Sequence, residues 1–438
     1  MTRWLAACGA SALTFAAGVQ PVDAAPPPAQ EQWWFAAWEM QQKVWPVSKG
    51  GGVTVAVIDT GVNAQLPDLR SAVVPGANID RGSGDGMQDP ADGTGHGTQM
   101  ASLIASRGTT TNFYGVAPEA KVMPIVSTRG NTAEAIQFAI QKNVQVINIS
   151  QGYPGACTPD LQQAISQALS KNIVVVAAAG NSGDVGNTPE RPANCAGVLA
   201  VGAIDNEKRV WTSSQRQPYV AVAAPGIYVG GISNDGRVLT AKAGTSPASA
   251  LTSATAALMR SKNPQMPARE VVQRLYNTAK DAGPPGRDDQ TGNGVIIPAA
   301  ALTAQVPKSA PNPVFDRYDK WLAAQPKQPQ STAPQPKSTW AEGAEEAEGR
   351  TKMLLIGVVG GGLLIVLIVG AVLVIRSGKK KPPPGPPSGP PSFGGPPPAH
   401  QAPPPHQGHQ GPGPSGPYGG PQTPQPGHPP YGPPGGSR

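Results

Sequence analysis

The chain has 438 residues, and glycine (54) with proline (52) makes up about 24% of it, roughly twice the usual share. The excess is uneven: Pro382–Arg438 holds 23 Pro and 14 Gly in 57 residues. That is too little apolar side chain to offset the entropy of ordering, and without a strict Gly-X-Y period it is not collagen. The formal net charge is +7, but Arg376, Lys379, Lys380, Lys381 and Arg438 supply five of the seven. No basic face remains for the foldable part, which excludes nucleic acid as a partner.

The N-terminus reads as an export signal. Met1-Thr2-Arg3 is charged, Trp4–Val19 is apolar, and Val22-Asp23-Ala24 offers a small-residue cleavage site after Ala24. Leu5-Ala6-Ala7-Cys8 sits too early for a lipoprotein box, which needs an apolar region before it. Residues 25–49 then carry Trp33, Trp34, Phe35, Trp38 and Trp45. Such a cluster either packs the extension onto the following domain or forms an exposed docking patch.

From residue 50 onward short β-branched runs alternate with helical patterns. Val53–Ile58, Val122–Val126, Val144–Ile149, Ile173–Ala179 and Val198–Ile204 predict strands; Thr132–Gln141, Pro159–Ser170 and Ala248–Arg260 predict helices. The alternation implies an α/β domain whose central, mostly parallel sheet is covered on both faces, with chemistry at the carboxyl ends of its strands. Four motifs fall there. Asp59 ends the first strand in Val57-Ile58-Asp59-Thr60-Gly61. His96, the one histidine outside the C-terminal tail, lies in Gly95-His96-Gly97-Thr98. Asn181 follows the run Val174–Gly180. Ser246 lies in Gly244-Thr245-Ser246, just before a helix of small residues, where a plain helix cap is the alternative. Asp59, His96 and Ser246 follow the Asp…His…Ser order of one of the convergent serine-protease solutions, and a strand-end Asn amide is a candidate oxyanion donor. After removal of the signal, Cys157 and Cys195 remain. An even pair in an exported domain reads as one disulfide closing a loop of about 38 residues.

These motifs together resemble the subtilisin-type serine proteases over roughly Gly50 to Leu302. The resemblance implies a three-layer subtilisin-like domain (residues 50–305) that hydrolyses peptide bonds in protein or peptide substrates without a cofactor or metal. Ser246 would attack the carbonyl, His96 would carry the proton, Asp59 would fix the His96 tautomer, and Asn181 with the Ser246 N–H would bind the oxyanion. Ser150, Gln151 and Gly152 would pair with extended substrate, and Ala178, Ala179 and Gly180 would line the pocket for the residue before the scissile bond. Two departures stand out: Pro247 directly follows the nucleophile, and Gln151 replaces an apolar residue. The calcium motifs of secreted subtilisins are not recognisable. Asp80, Asp85, Asp89 and Asp92 before His96 are either a calcium loop or, the preferred reading, a solvated turn. The stretch between cleavage site and first strand, about 28 residues, leaves no room for the inhibitory pro-segment of secreted subtilisins.

Beyond the domain, Val306–Arg350 is Pro-rich and then acidic, which predicts an extended linker (306–352). Met353–Ile375 is 23 residues without a charge, long enough at about 1.5 Å per residue to cross a bilayer. Arg376 and Lys379–Lys381 place its end in the cytoplasm, giving a type I protein with the protease domain outside and a disordered Pro/Gly tail (376–438) inside. This arrangement resembles the mycosins, membrane-anchored proteases of actinobacterial type VII secretion systems. The resemblance implies a secretion membrane complex as partner. It allows two roles there: processing of secreted substrates, or structural support with dispensable proteolysis.

Overall fold

The computed structural model describes residues 26–326, apart from 90–93, 129 and 241. The export signal, the proposed span and the tail lie outside the described residues. Among those described, no helix is long and apolar enough to cross a membrane.

The tryptophan-rich extension is folded onto the domain. Helix α1 (Trp33–Ala37) and a π-helical turn (Met40–Val44) bury Trp34, Phe35, Met40 and Val44. The Phe35 and Trp45 rings meet edge-on at 4.9 Å, and Trp45 packs on Tyr114 at 5.6 Å. Directional bonds fix the register. The Gln32 side chain donates to the Tyr114 carbonyl (2.7 Å) and accepts from the Tyr114 N–H (2.8 Å), and the Trp45 indole donates to the Val116 carbonyl (3.0 Å). Of the two readings of these aromatics, packing is the one the structure shows.

The domain's strands are β1 (Thr54–Asp59), β2 (Ala77–Asn78), β3 (Lys121–Val126), β4 (Val146–Ile149), β5 (Tyr153–Pro154), β6 (Val174–Ala178), β7 (Glu190–Arg191), β8 (Leu199–Ile204) and β9 (Val220–Pro225). Its helices are α2 (His96–Ala105), α3 (Thr132–Gln141), α4 (Pro159–Ser170), α5 (Thr245–Lys262), α6 (Ala268–Asn277), α7 (Pro298–Thr303) and α8 (Pro313–Ala324). Seven strands form a parallel sheet in the order β2-β3-β1-β4-β6-β8-β9, and β5 pairs with β7 antiparallel. Alternation along β1 separates two cores. Val55 and Val57 face α2 and α5, while Ala56 and Ile58 face α3 and α4. From β1 the chain passes to the edge strand β2, returns through β3 beside β1, and then crosses to start β4 on the other side. The resulting crevice beyond β1 and β4 is the position at which such sheets place their ligands.

Three expectations need correction. Helix α5 begins at Thr245 rather than Ala248, so Ser246 lies inside its first turn. Helices α2, α6 and α7 and strands β2, β5, β7 and β9 were not foreseen. The expected linker does not start as an extended tether: α8 is capped by Asn312 and buries Val314, Phe315 and Tyr318 against the domain. Arg269 stacks over Phe315 at 4.5 Å and grips Asp319 through two nitrogens (2.9 and 2.6 Å), which explains why Pro-rich sequence here still folds.

Candidate active site

Strand β1 delivers Asp59 to the crevice with its side chain fully buried. Its Oδ1 accepts the Thr60 N–H (2.8 Å) and His96 Nδ1 (2.7 Å). A carboxylate only accepts, so Nδ1 carries the proton and the neutral ring keeps its lone pair on Nε2. The charge of Asp59, reinforced by this hydrogen bond, raises the His96 pKa above its ordinary 6.5 against the opposing effect of burial. Close approach of α2 to the end of β1 depends on Gly97. A methyl group there would overlap the Gly61 carbonyl and come within 3.2 Å of the Asp59 Cβ. The Gly97 N–H instead donates to Thr60 Oγ1 (2.9 Å).

Asp89 serves the same helix. Its Oδ2 accepts from the Thr98 N–H (2.9 Å) and Oγ1 (2.7 Å), a carboxylate set in the first turn where the helix dipole favours it. Asp80 accepts from Thr128, and Asp85 from the Met87 N–H. Asp85 thus closes a local turn in solvent, whereas Asp80 ties two segments 48 residues apart and buried Asp89 caps α2, so the solvated-turn reading does not hold for Asp89. Asp92 lies outside the described residues, and among those described no group of three or more His, Cys, Asp or Glu side chains is arranged to hold a metal.

The second half of the site comes from β4, β6 and α5. Ile58 pairs with Ile149, and Ile149 with Ala177, so Asp59, Ser150 and Ala178 lie side by side where three neighbouring strands end. Ser150 is tied to Ser246 in both directions. Ser246 Oγ donates to the Ser150 carbonyl (2.8 Å), and Ser150 Oγ donates to the Ser246 carbonyl (3.1 Å). The Ser246 hydroxyl therefore does not cap its own helix. Thr245 anchors the next strand: its Oγ1 accepts from the Gly180 N–H (3.1 Å) and donates to Asn181 Oδ1 (2.8 Å), which also accepts the Thr245 N–H (2.9 Å). Two donors identify that atom as the oxygen, so the Asn181 Nδ2 group faces the other way. A methyl placed on Gly244 would lie 3.7 Å from the Ser246 nitrogen and 3.8 Å from Asn181 Nδ2. Both donors thus border one space beside the Ser246 backbone, an arrangement suited to an anionic oxygen.

A sequence profile of the subtilase family matches residues 50–294. The chain belongs to the subtilase family. Subtilisin DY of Bacillus licheniformis is 38% identical over 244 residues, 54% of this chain and 86% of that protein. Among solved structures, MycP1 from Mycobacterium smegmatis superposes with a TM-score of 0.57 at 27% identity, covering 73% of this chain and 92% of that one. The MycP3 protease from the type VII (ESX-3) secretion system gives 0.54 at 32% identity, covering 64% of this chain and 89% of that one. The chain is a subtilisin-like serine protease that resembles the mycosins.

In this subtilase Gly180 has φ +118°, a conformation that favours glycine, and Ala178 and Ala179 beside it are buried. Gly152 is exposed, whereas Gln151 is half-buried and its amide nitrogen has no protein partner. Cys157 and Cys195 form the expected disulfide, with Cα atoms 5.1 Å apart. Asn148, inside β4, was missed by the sequence reading. Its Oδ1 accepts from Ser249 (2.9 Å) and Ser253 (3.0 Å) of α5, and its Nδ2 donates to Ser150 Oγ (2.8 Å). The available signal was a single polar residue inside an apolar strand, opposite serines spaced i, i+4 on a helix.

Proposed function

We propose that this subtilase is a membrane-anchored, extracytoplasmic serine endopeptidase that processes substrates within a type VII secretion system. Asp59, His96 and Ser246 act as its triad, and Asn181 with the Ser246 N–H binds the oxyanion. The observation that carries the catalytic part is the Asp59–His96 bond of 2.7 Å, which leaves Nε2 as the free base. For attack, the Ser246 hydroxyl leaves the Ser150 carbonyl and passes its proton to Nε2. Its oxygen bonds to the substrate carbonyl carbon, and His96 then protonates the departing amine. Ser150–Gly152 hold the peptide as an added strand, with Ala178–Gly180 on the other side of the residue before the scissile bond.

Placement at the membrane rests on the charge-free run 353–375 with basic residues after it, and the secretion role on likeness to MycP1 and MycP3. A fluorophosphonate probe applied to the full-length chain in detergent should label Ser246 and spare the Ser246→Ala variant. A folded protein that never reacts would refute catalysis. In a deletion strain, secretion restored by wild type but not by Ser246→Ala at equal protein level supports processing. Restoration by Ser246→Ala assigns the chain a structural role instead. External protease should degrade residues 50–305 and spare the tail in intact cells.

A further inference from the structure

Glu190 stands out because nothing in the triad chemistry uses it. It belongs to β7, whose pairing with β5 sets Glu190 opposite Pro154, two residues beyond Gly152. A methyl group on Gly152 would collide with Glu190 Oε2. One on Gly180 would come within 2.6 Å of its Cδ and 2.7 Å of its Oε1. The carboxylate therefore sits between the two segments proposed above to flank the substrate, touching the bare backbone of both. The backbone that carries it is held: the Glu190 N–H donates to the Tyr219 hydroxyl (3.1 Å), which donates on to the Ala179 carbonyl (3.3 Å). Burial pushes the Tyr219 pKa up to about 12, so that hydroxyl stays protonated.

The charge itself is unmatched. Oε1 receives only long bonds from Ser182 Oγ (3.3 Å) and Gln215 Nε2 (3.2 Å). Among the described residues Oε2 has no donor, and Glu190 is only half-buried, so water reaches this carboxylate. Among the described residues no lysine, arginine or histidine forms an ion pair with Glu190. Arg191, next in sequence, turns its guanidinium toward the Pro154 carbonyl at 3.4 Å.

We propose that Glu190 is a specificity-determining residue, selecting substrates with lysine or arginine immediately before the scissile bond. This rests on the protease reading and on the two segments flanking the substrate. A neutral apolar side chain seated there would strip water from the carboxylate and leave it unpaired. A long cationic one replaces that water with a charge-assisted hydrogen bond.

Full-length protein in detergent, given peptides differing only at that position, reads the preference directly. The expected kcat/KM is highest for Arg and Lys. Glu190→Gln lowers the Arg-to-Leu ratio by about 10²-fold, and Glu190→Lys shifts preference toward Glu. Labelling rates of peptidyl diphenyl phosphonates carrying Arg or Leu give the same ratio without turnover. A wild-type preference for apolar or small residues, or a ratio unmoved by Glu190→Gln, overturns the assignment while leaving the protease reading intact. Absence of any labelling by fluorophosphonate or phosphonate overturns both.

Discussion

At the carboxyl ends of the strands, Asp59, Asn148, Ser150, Thr245 and Ser246 are buried and held mainly by hydrogen bonds. In the N-terminal extension Trp34, Phe35, Met40 and Val44 are buried as deeply and held by packing; the Trp34 indole nitrogen has no acceptor at all. The contrast separates two tasks. A hydrogen bond exchanged for water adds only about 1 kcal/mol to stability but fixes direction, which proton transfer requires. Buried aromatic area contributes several times more per residue and fixes little geometry. Damage to the first region should therefore appear in turnover, and damage to the second in unfolding.

The sharpest test of that division is Ser246→Ala, which should lower kcat by about 10⁶-fold while the unfolding midpoint in urea barely moves. Trp34→Ala should do the reverse. Removing a fully buried indole costs roughly 3–5 kcal/mol, read as a lower urea midpoint, with kcat per folded molecule retained in the absence of urea. If kcat collapses in Trp34→Ala protein that is still folded, the extension contributes to the site and the division fails. Asn181→Ala comes next: kcat should fall by ~10²–10³ with KM little changed, because in the proposed mechanism its Nδ2 acts on charge that develops only in the transition state.

The two regions were also unequally legible in the sequence. Asp59, His96, Asn181 and Ser246 could be singled out because each sits in a short motif with glycine within two residues. The sheet was foreseen because β-branched runs of that length have few other uses. Helix α2 was missed because Gly95 and Gly97 look like loop residues, although Met100, Leu103 and Ile104 carry a helical spacing. The early start of α5 was hidden by Pro247, which a first helical turn accepts since its amide needs no partner there. Asn148, despite its place as a lone polar residue in an apolar strand, and Glu190 were passed over for another reason. Their importance lies in what the fold brings to them, α5 serines in one case and two glycines in the other. The fold of α8 was masked by the prolines around it, because composition does not register an Arg269–Phe315–Asp319 contact made across 46 to 50 residues of chain.

The smallest expected effect, pH, distinguishes the regions by sign. In the proposed mechanism catalysis needs neutral His96, and Asp59 raises its pKa, so kcat/KM should fall on acidification through an apparent pKa above 6.5. Stability runs the other way. A histidine whose pKa is higher folded than unfolded contributes fully below about 6.5 and loses that contribution as pH rises through the folded value. Across the interval between the two, turnover should climb while the contribution of the Asp59–His96 pair to stability declines. The buried members of the extension, Trp34, Phe35, Met40 and Val44, have no titratable group. The stability lost in Trp34→Ala should thus be the same at pH 5.5 and 8.5, whereas the difference between wild type and His96→Gln should shrink toward the higher pH. Urea unfolding of the three proteins at both pH values measures this. A His96→Gln difference that grows with pH would mean that the imidazolium is not what Asp59 stabilises.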